Sequence, residues 1–409
     1  MKVLHTSDWH LGRSLYGRKR DAEHADFLDW LLRTLVEEKI DVLLVAGDVF
    51  DTSVPSNKAQ SLYYQFLCRI ADSPCRHVVV IAGNHDSPSF LNAPQTLLQS
   101  LDIHVVGAIT DNCEEEVIVL NDEAGEPELI ICAVPYLRDR DIRVVEAGEN
   151  IADKERKLVE GIREHYANVC AIAEEKREAL GLHIPMVAMG HLFAAGGETV
   201  EGDGVRELYV GSLAHVTSAI FPEEIDYLAL GHLHVPQMLN QSDIMRYSGS
   251  PIPMGFGEAN QKKVVCLVSF EGRKASVVNH QVPIFQKLVC IKGDMESISQ
   301  QLGDLIELEA SIWLEVIYQG DDVMPDLQER LDSLLLGSKV TLLRVQNTRV
   351  MNQVLMKIQD IPTLEDLNEN DVFEQCLIAN EINESQRPDL LKAHQHILSS
   401  LHDEDAKAE

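Results

Sequence analysis

Five short runs of aliphatic and β-branched residues, each cut off by a glycine or a polar cluster, punctuate the first 280 residues: MKVLHTSD, DVLLVAGD, HVVVIAGN, PMVAMGH and DYLALGH. Runs that are apolar throughout, without polar alternation, predict strands covered on both faces. Helical patterns fill the gaps between them. In DAEHADFLDWLLRTLVEEK the residues Phe27, Leu28, Leu31, Leu32 and Leu35 share one face, and KAQSLYYQFLCRIAD behaves alike. Leu158, Ile162, Tyr166, Val169 and Ile172 mark a longer amphipathic helix between Lys154 and Leu180. Strand and helix in alternation predict an α/β fold.

Around Gln281 the pattern changes to two rounds of strand and helix plus a last strand: KLVCIKG, SISQQLGDLIEL, IWLEVIYQ, DLQERLDSLLLG and KVTLLRVQ. That is the pattern of a small α+β domain. Beyond Thr348 strand signals vanish. Thr363 with Asp366 has capping-box spacing, a competing helix start lies at Asn370 or Asp371, and a second helix begins near Ser385. The expected division is 1–280, 281–348 and 349–409. At 409 residues the chain exceeds one ordinary core, in keeping with such a division.

Composition narrows the functional classes. With 45% hydrophobic and 25% charged residues the chain reads as soluble and globular. Its opening MKVLHTSDWH has no basic region leading into a sustained apolar stretch, and no segment approaches bilayer length, so the cytosol is the expected address. The eight cysteines are scattered without a CxxC pair, several within apolar runs, which points to free buried thiols rather than disulfides or a zinc knot. The net charge of −31 argues against holding polyanions by bulk electrostatics, so nucleic acid would need a local basic groove, bound cations or a basic partner. From Gln359 to Glu409 thirteen acids face three bases, which leaves −21 on the other 358 residues and sets the tail apart.

The residues that follow the five runs carry the chemistry. Alternate side chains of a strand share a face, so His232 and His234 of GHLH point toward one place. Asp8 and His10 of SDWHLG have the same spacing, and Asp48 and Asp51 follow LLVAG. Strand carboxyl ends in open α/β sheets line a common crevice. The five ends deliver Asp8, His10, Asp48, Asn84, His85, His191, His232 and His234 to it. Carboxylate, imidazole and amide oxygen without thiolate suit Mn, Fe or Zn, and seven ligands are too many for one ion, so two are implied. Asp48 is the best bridging candidate, because it stands alone at its strand end beside a glycine that permits close backbone approach. Taken singly, a strand-end aspartate is usually a turn former or cap and a lone histidine such as His191 is usually structural. Five ordered blocks reverse that preference. His5, inside the first strand, and His394 and His396, on a tail helix, keep the structural reading.

The order DxH, GDxxD, GNHD, GH, GHxH resembles that of the calcineurin-like binuclear metallophosphoesterases. The stretches LHTSDWHLG, VAGDVFD, AGNHDS, VPYLRDRD, ALGHLH and YSGSPIPMGF, with the small second domain and acidic tail, resemble within that family the nuclease subunits of bacterial ATPase–nuclease complexes. The resemblance covers nearly the whole chain and is strongest up to about Glu258. It implies a two-sheet sandwich flanked by helices, an α+β capping domain and a C-terminal helical segment. It also implies one metal on Asp8, His10, Asp48 and His234 and another on Asp48, Asn84, His191 and His232, usually manganese, with His85 as a catalytic residue that is not a ligand. The implied activity is a DNA nuclease, exonucleolytic on double strands and endonucleolytic on single strands and hairpins. It would act in DNA end processing, repair and recombination as a homodimer within a heterotetramer. Some relatives carry histidine where this chain has Asp51, so a phosphate contact by that histidine does not carry over.

Other residues support this picture. His85, if protonated, can donate to the departing ribose oxygen. Asp86 either orients that imidazole or caps the helix of SPSFLNAPQTLLQSL. Arg13, Arg18, Lys19 and Arg20 form a basic loop, read either as DNA phosphate contacts or as solvated charges, and LRDRD from Leu137 is a second candidate of that kind. In the tail, Leu390, Leu391, His394, Ile397, Leu398 and Leu401 form one stripe, and Val372, Phe373, Cys376 and Leu377 another. Two such helices need a partner surface or each other. The resemblance points to the coiled coil near the head of a partner ATPase, and packing back on the catalytic domain is the alternative. Two competing functions stay open: a phosphatase or phosphodiesterase on small phosphoesters, and a silent docking scaffold, which has no need of seven ligands and His85.

Overall fold

The computed structural model describes residues 1–142, 151–194, 217–320, 324 and 326–347, and in the tail 373, 377, 387, 390–392 and 394. The chain divides into two compact units, Met1–Lys287 and Leu288–Glu409.

The first unit opens with β1 (Lys2–Thr6), a two-residue ribbon of β2 (Ser14–Leu15) and β3 (Arg18–Lys19), α1 (Asp21–Glu37), β4 (Val42–Ala46), α2 (Asn57–Ala71) and β5 (His77–Ile81). Short helices α3 (Pro88–Asn92) and α4 (Gln95–Gln99) lead to β6 (Ile103–Val106), then β7 (Val117–Asn121), β8 (Pro127–Ala133), α5 (Asp139–Ile142) and α6 (Ile151–Leu180). There follow β9 (Met186–His191), β10 (Tyr227–Gly231), β11 (Gln237–Met238), β12 (Met245–Tyr247), β13 (Val264–Glu271) and β14 (Lys274–Gln281). These strands make two six-stranded sheets, in the orders β14-β13-β1-β4-β5-β6 and β11-β12-β10-β9-β8-β7. β1, β4, β5 and β6 run parallel, as do β8, β9, β10 and β12, and antiparallel partners close the β13 edge of one sheet and both edges of the other.

The missing polar alternation now has its cause. Val3, Val42, Leu44, Val79 and Ile81 of the first sheet pack against Leu129, Ile131, Val187, Met189 and Ala229 of the second, in one core between the sheets. Their strand neighbours face the other way. Leu4, Leu43, Val45, Val78 and Val80 lie under Phe27, Leu31 and Leu35 of α1 and Phe66 and Leu67 of α2. Ile130, Cys132, Met186, Ala188 and Leu228 lie under Tyr166, Val169 and Ala173 of α6. Each central strand thus serves two dry cores, and each buried Val, Leu, Ile, Phe or Met there contributes about 1.5–3 kcal/mol relative to exposure.

This corrects one feature of the residue-level reading. The five glycine-ended runs do not end along one sheet rim: β1, β4 and β5 belong to the first sheet, β9 and β10 to the second. A strand sandwiched between a helix and a sheet has the same apolar pattern as one between two helix layers, so periodicity cannot separate the two cases.

The second unit carries β15 (Lys287–Gly293), α7 (Met295–Glu307), β16 (Ile312–Tyr318), α8 (Leu327–Leu335) and β17 (Val340–Asn347). Its sheet runs β15-β16-β17, and Ile298, Leu302, Leu314, Val316 and Leu331 fill its core. Of the tail, Thr363, Asp366, Val372, Cys376, His396, Ile397, Leu398 and Leu401 lie outside the described residues. Phe373, Leu377, Leu390, Leu391 and His394 are helical, and the rings of Phe373 and His394 stack with centroids 4.0 Å apart. Among the described residues no helix is long and apolar enough to cross a membrane. The described cysteines are all free thiols, of which Cys68 is exposed.

Candidate metal centre

Where β1 and β4 end, their chains stay paired. The Asp8 amide donates to the Gly47 carbonyl at 3.0 Å, His10 to Asp48 at 3.0 Å and Leu11 to Val49 at 2.9 Å. This holds Asp8 and His10 beside Asp48. The backbone there is strained: Asp8 (φ 53°), His10 (φ 47°), Asp48 (φ 49°) and His232 (φ 100°) all lie in the left-handed region, at about 1–3 kcal/mol each. Such conformations persist where the surroundings over-determine them, and they cluster at functional sites. Two glycines make the approach possible. Gly47 has φ 85° and a Cβ there would overlap the His191 imidazole, while a Cβ on Gly83 would overlap Asp48.

The side chains converge on Asp48. Its Oδ2 lies 3.5 Å from His10 Nε2 and 3.4 Å from His191 Nε2. His10 Nε2 faces His234 Nε2 at 3.2 Å. Asn84 Oδ1 lies 3.1 Å from His191 Nε2 and 3.0 Å from His232 Nδ1. Donor atoms of Asp8, His10 and His234 form one cluster within 4.8 Å, those of Asp8, Asp48 and His191 a second, and those of His10, Asp51 and His85 a third. All seven sequence-predicted ligands are therefore brought together. Six are buried, and Asn84 is half-buried like His85.

The donors fit divalent cations on chemical grounds. His191 Nδ1 donates to the Ala46 carbonyl at 2.9 Å, which aims Nε2 at Asp48 and Asn84. Two imidazole Nε2 atoms at 3.2 Å need a proton or a cation between them. Burial pushes Asp8 up to about 7. Burial also works to raise Asp48, but the His191 imidazole beside it wins and holds its carboxyl well below the usual range. His191 is correspondingly lifted to about 9, since the Asp48 carboxylate outweighs burial. Burial, reinforced by His191, drives His232 down to about 3, and burial lowers His10. Buried carboxylate and imidazole in this number call for positive charge, and a set without thiolate suits Mn, Fe or Zn.

Around these donors the supporting residues differ in part from expectation. The His85 amide donates to Asp48 Oδ1 at 2.9 Å, and its Nδ1 donates to the Asp51 carbonyl at 2.8 Å, leaving Nε2 as the outward nitrogen. Asp51 Oδ1 lies 3.2 Å from His10 Nδ1 and accepts from Arg13 at 3.1 Å, and these partners overcome burial to hold Asp51 down near 2. Asp86 neither orients His85 nor caps the next helix, whose cap is Ser87. Its carboxylate accepts from the amides of Val49 at 3.1 Å, Phe50 at 2.9 Å and Gly83 at 2.9 Å, stitching two motif loops together.

The basic loop also needs correction. Arg20 is buried, bonded to Glu23 Oε2 at 2.7 Å and the Pro253 carbonyl at 2.6 Å, so it offers no charge to DNA. Arg13 is engaged with Asp51, and Arg18 and Lys19 stay exposed on the β2–β3 ribbon. Tyr16, at the turn of that ribbon, stacks on Phe256 with ring centroids 5.8 Å apart.

Sequence reasoning missed a layer behind His234 and Asp8. His234 Nδ1 lies 3.8 Å from Glu258 Oε1, and Glu258 pairs with Lys263, whose Nζ donates to the His234 carbonyl at 2.9 Å. Ser7 Oγ donates to Asp8 Oδ2 and lies 2.8 Å from Ser248 Oγ. Of this layer Ser7 lies in LHTSDWHLG and Ser248 in YSGSPIPMGF, while Glu258 and Lys263 lie outside every quoted motif and have no ligand spacing.

Residues 1–236 match the family model of the calcineurin-like phosphoesterases. Residues 284–381 match a model described as the Type 5 capsule protein repressor C-terminal domain. The chain is 36% identical over 407 residues to the SbcD component of the nuclease SbcCD from Escherichia coli K12, covering 98% of this chain and 97% of that protein. Proteins of the same name from Rhodobacter capsulatus and Bacillus subtilis are 36% and 37% identical, over 67% and 66% of this chain and 68% and 66% of theirs.

Proposed function

The chain belongs to the calcineurin-like phosphoesterases, and from that premise we propose that it is a DNA nuclease of the SbcD type, hydrolysing phosphodiesters at a centre of two divalent cations, usually manganese. The observation that carries the proposal is Asp48 Oδ2, lying between His10 Nε2 and His191 Nε2 at 3.5 and 3.4 Å. One cation would be held by Asp8, His10, Asp48 and His234, the other by Asp48, Asn84, His191 and His232. Such a pair supplies Lewis acidity and neutralises the charge with which a phosphodiester repels its nucleophile.

The chain's own groups do the rest. His85, tied through Nδ1 to the Asp51 carbonyl, presents Nε2 to the departing ribose oxygen. Asp51 positions both His10 and His85. Arg18 and Lys19, exposed on the β2–β3 ribbon, meet DNA phosphates. We assign catalysis to 1–280, the α+β unit to 281–348, and contact with an SbcC-type ATPase to the helices of 349–409. The working form is a homodimer within a heterotetramer, cytoplasmic and nucleoid-associated, cutting double strands as an exonuclease and single strands and hairpins as an endonuclease.

The test is an assay of hairpin-ended duplex DNA beside p-nitrophenyl phosphate, in manganese and in chelator. Manganese-dependent cleavage of the DNA is expected. Turnover of the small ester with intact DNA would replace this reading by that of a small-phosphoester hydrolase.

A further inference from the structure

A second cluster of metal-ligating side chains lies on the far side of the second sheet, against α6. The 3-10 turn Cys113–Glu116 precedes the edge strand β7. At three residues per turn, side chains at i and i+3 eclipse, so Cys113 and Glu116 project the same way. His165 of α6 meets them, its Nε2 2.8 Å from Glu116 Oε2. The sulfur, carboxylate oxygen and imidazole nitrogen all lie within 4.8 Å of one another. Glu116 is 1% exposed, and its other oxygen, Oε1, is buried without a hydrogen-bond partner. An unmet buried carboxylate oxygen is costly, and among the described residues no donor reaches this one.

We propose that Cys113, Glu116 and His165 bind one borderline-soft divalent cation of the zinc type, through thiolate, carboxylate and imidazole, with a fourth position open to solvent. Sulfur, nitrogen and oxygen donors together suit zinc, whereas the catalytic donors contain no sulfur. Cys113 is only half-buried, which gives a cation access from the surface. The cation takes the proton's place between His165 and Glu116 and satisfies Oε1, and thiolate ligation releases the Cys113 proton. It ties the turn before β7 to a helix residue 49 positions further along the chain. The site shares no residue with the centre at Asp48 and does not depend on the nuclease reading.

Cobalt(II) added to the full-length protein tests this, because a cobalt–thiolate bond gives a near-ultraviolet charge-transfer band that carboxylate and imidazole donors do not. The band is expected to reach the intensity of a single cobalt–thiolate bond per chain once all sites are filled, to vanish in Cys113→Ser and to persist in Cys68→Ser. A wild type without the band, or a band unchanged in Cys113→Ser, overturns the proposal. Should Cys113→Ser not fold, alkylation of the wild type followed by peptide mapping decides. Zinc is expected to slow modification of Cys113 and not of Cys68, and equal rates with and without zinc overturn the site.

Discussion

His85 is anchored through its amide to Asp48 Oδ1 and through Nδ1 to the Asp51 carbonyl, and alanine keeps the first of these bonds. His85→Ala is therefore expected to leave metal content unchanged and lower DNA turnover by about 10²–10⁴, the usual worth of a positioned acid or base. Full activity in manganese buffer would remove it from the mechanism. A different histidine governs acid lability. Burial pushes His5, bonded to Tyr227 between the sheets, down to about 3, and His24 likewise. Their folded-state values lie below the unfolded 6.5, so their contribution to stability is full above that pH and is lost as pH falls from about 6.5 toward 3. In chelator, urea stability should fall across that window, and His5→Asn should flatten the fall by up to about 1.4 kcal/mol per pH unit. An unchanged slope would show that His5 is protonated equally in both states. Ligand identities were legible in the sequence at this scale because each lies close behind an apolar run. Asp86 was not, since its partners are the backbone amides of Val49 and Phe50, 36 to 37 positions away.

At the scale of elements, strands and helices were legible because each central strand is apolar on both faces and each helix on one. The partition into two sheets was not, because burial by a sheet and burial by helices leave the same trace. The short ribbon of β2 and β3 shows another limit. The four basic residues in and beside it read alike in sequence, yet Arg20 turns inward to Glu23 and Pro253, Arg13 binds Asp51, and Arg18 and Lys19 face solvent. Replacing Arg18 and Lys19 with alanine should flatten the dependence of log K for duplex DNA on log salt by about 2, without loss of fold. Arg20→Ala should instead lower the unfolding temperature, since it strands buried Glu23, and leave the salt slope alone. A steeper loss of slope from Arg20 than from Arg18 and Lys19 would reverse these assignments.

At the scale of the whole molecule, a net charge of −31 sits poorly with a polyanionic substrate until positive charge is supplied locally. The proposed centre would do this where it matters: buried carboxylates and imidazoles drawn from two facing sheets meet at Asp48, and cations held there would reverse the local field. The measurement that tests this most directly is anomalous scattering from crystals of the manganese-loaded protein, wild type beside Asp48→Ala. Two peaks flanking the Asp48 carboxylate, one toward His10 and His234 and one toward Asn84, His191 and His232, with at least one lost in the variant, are the predicted result. A single peak, peaks elsewhere, or a pair that survives the loss of Asp48 would contradict it.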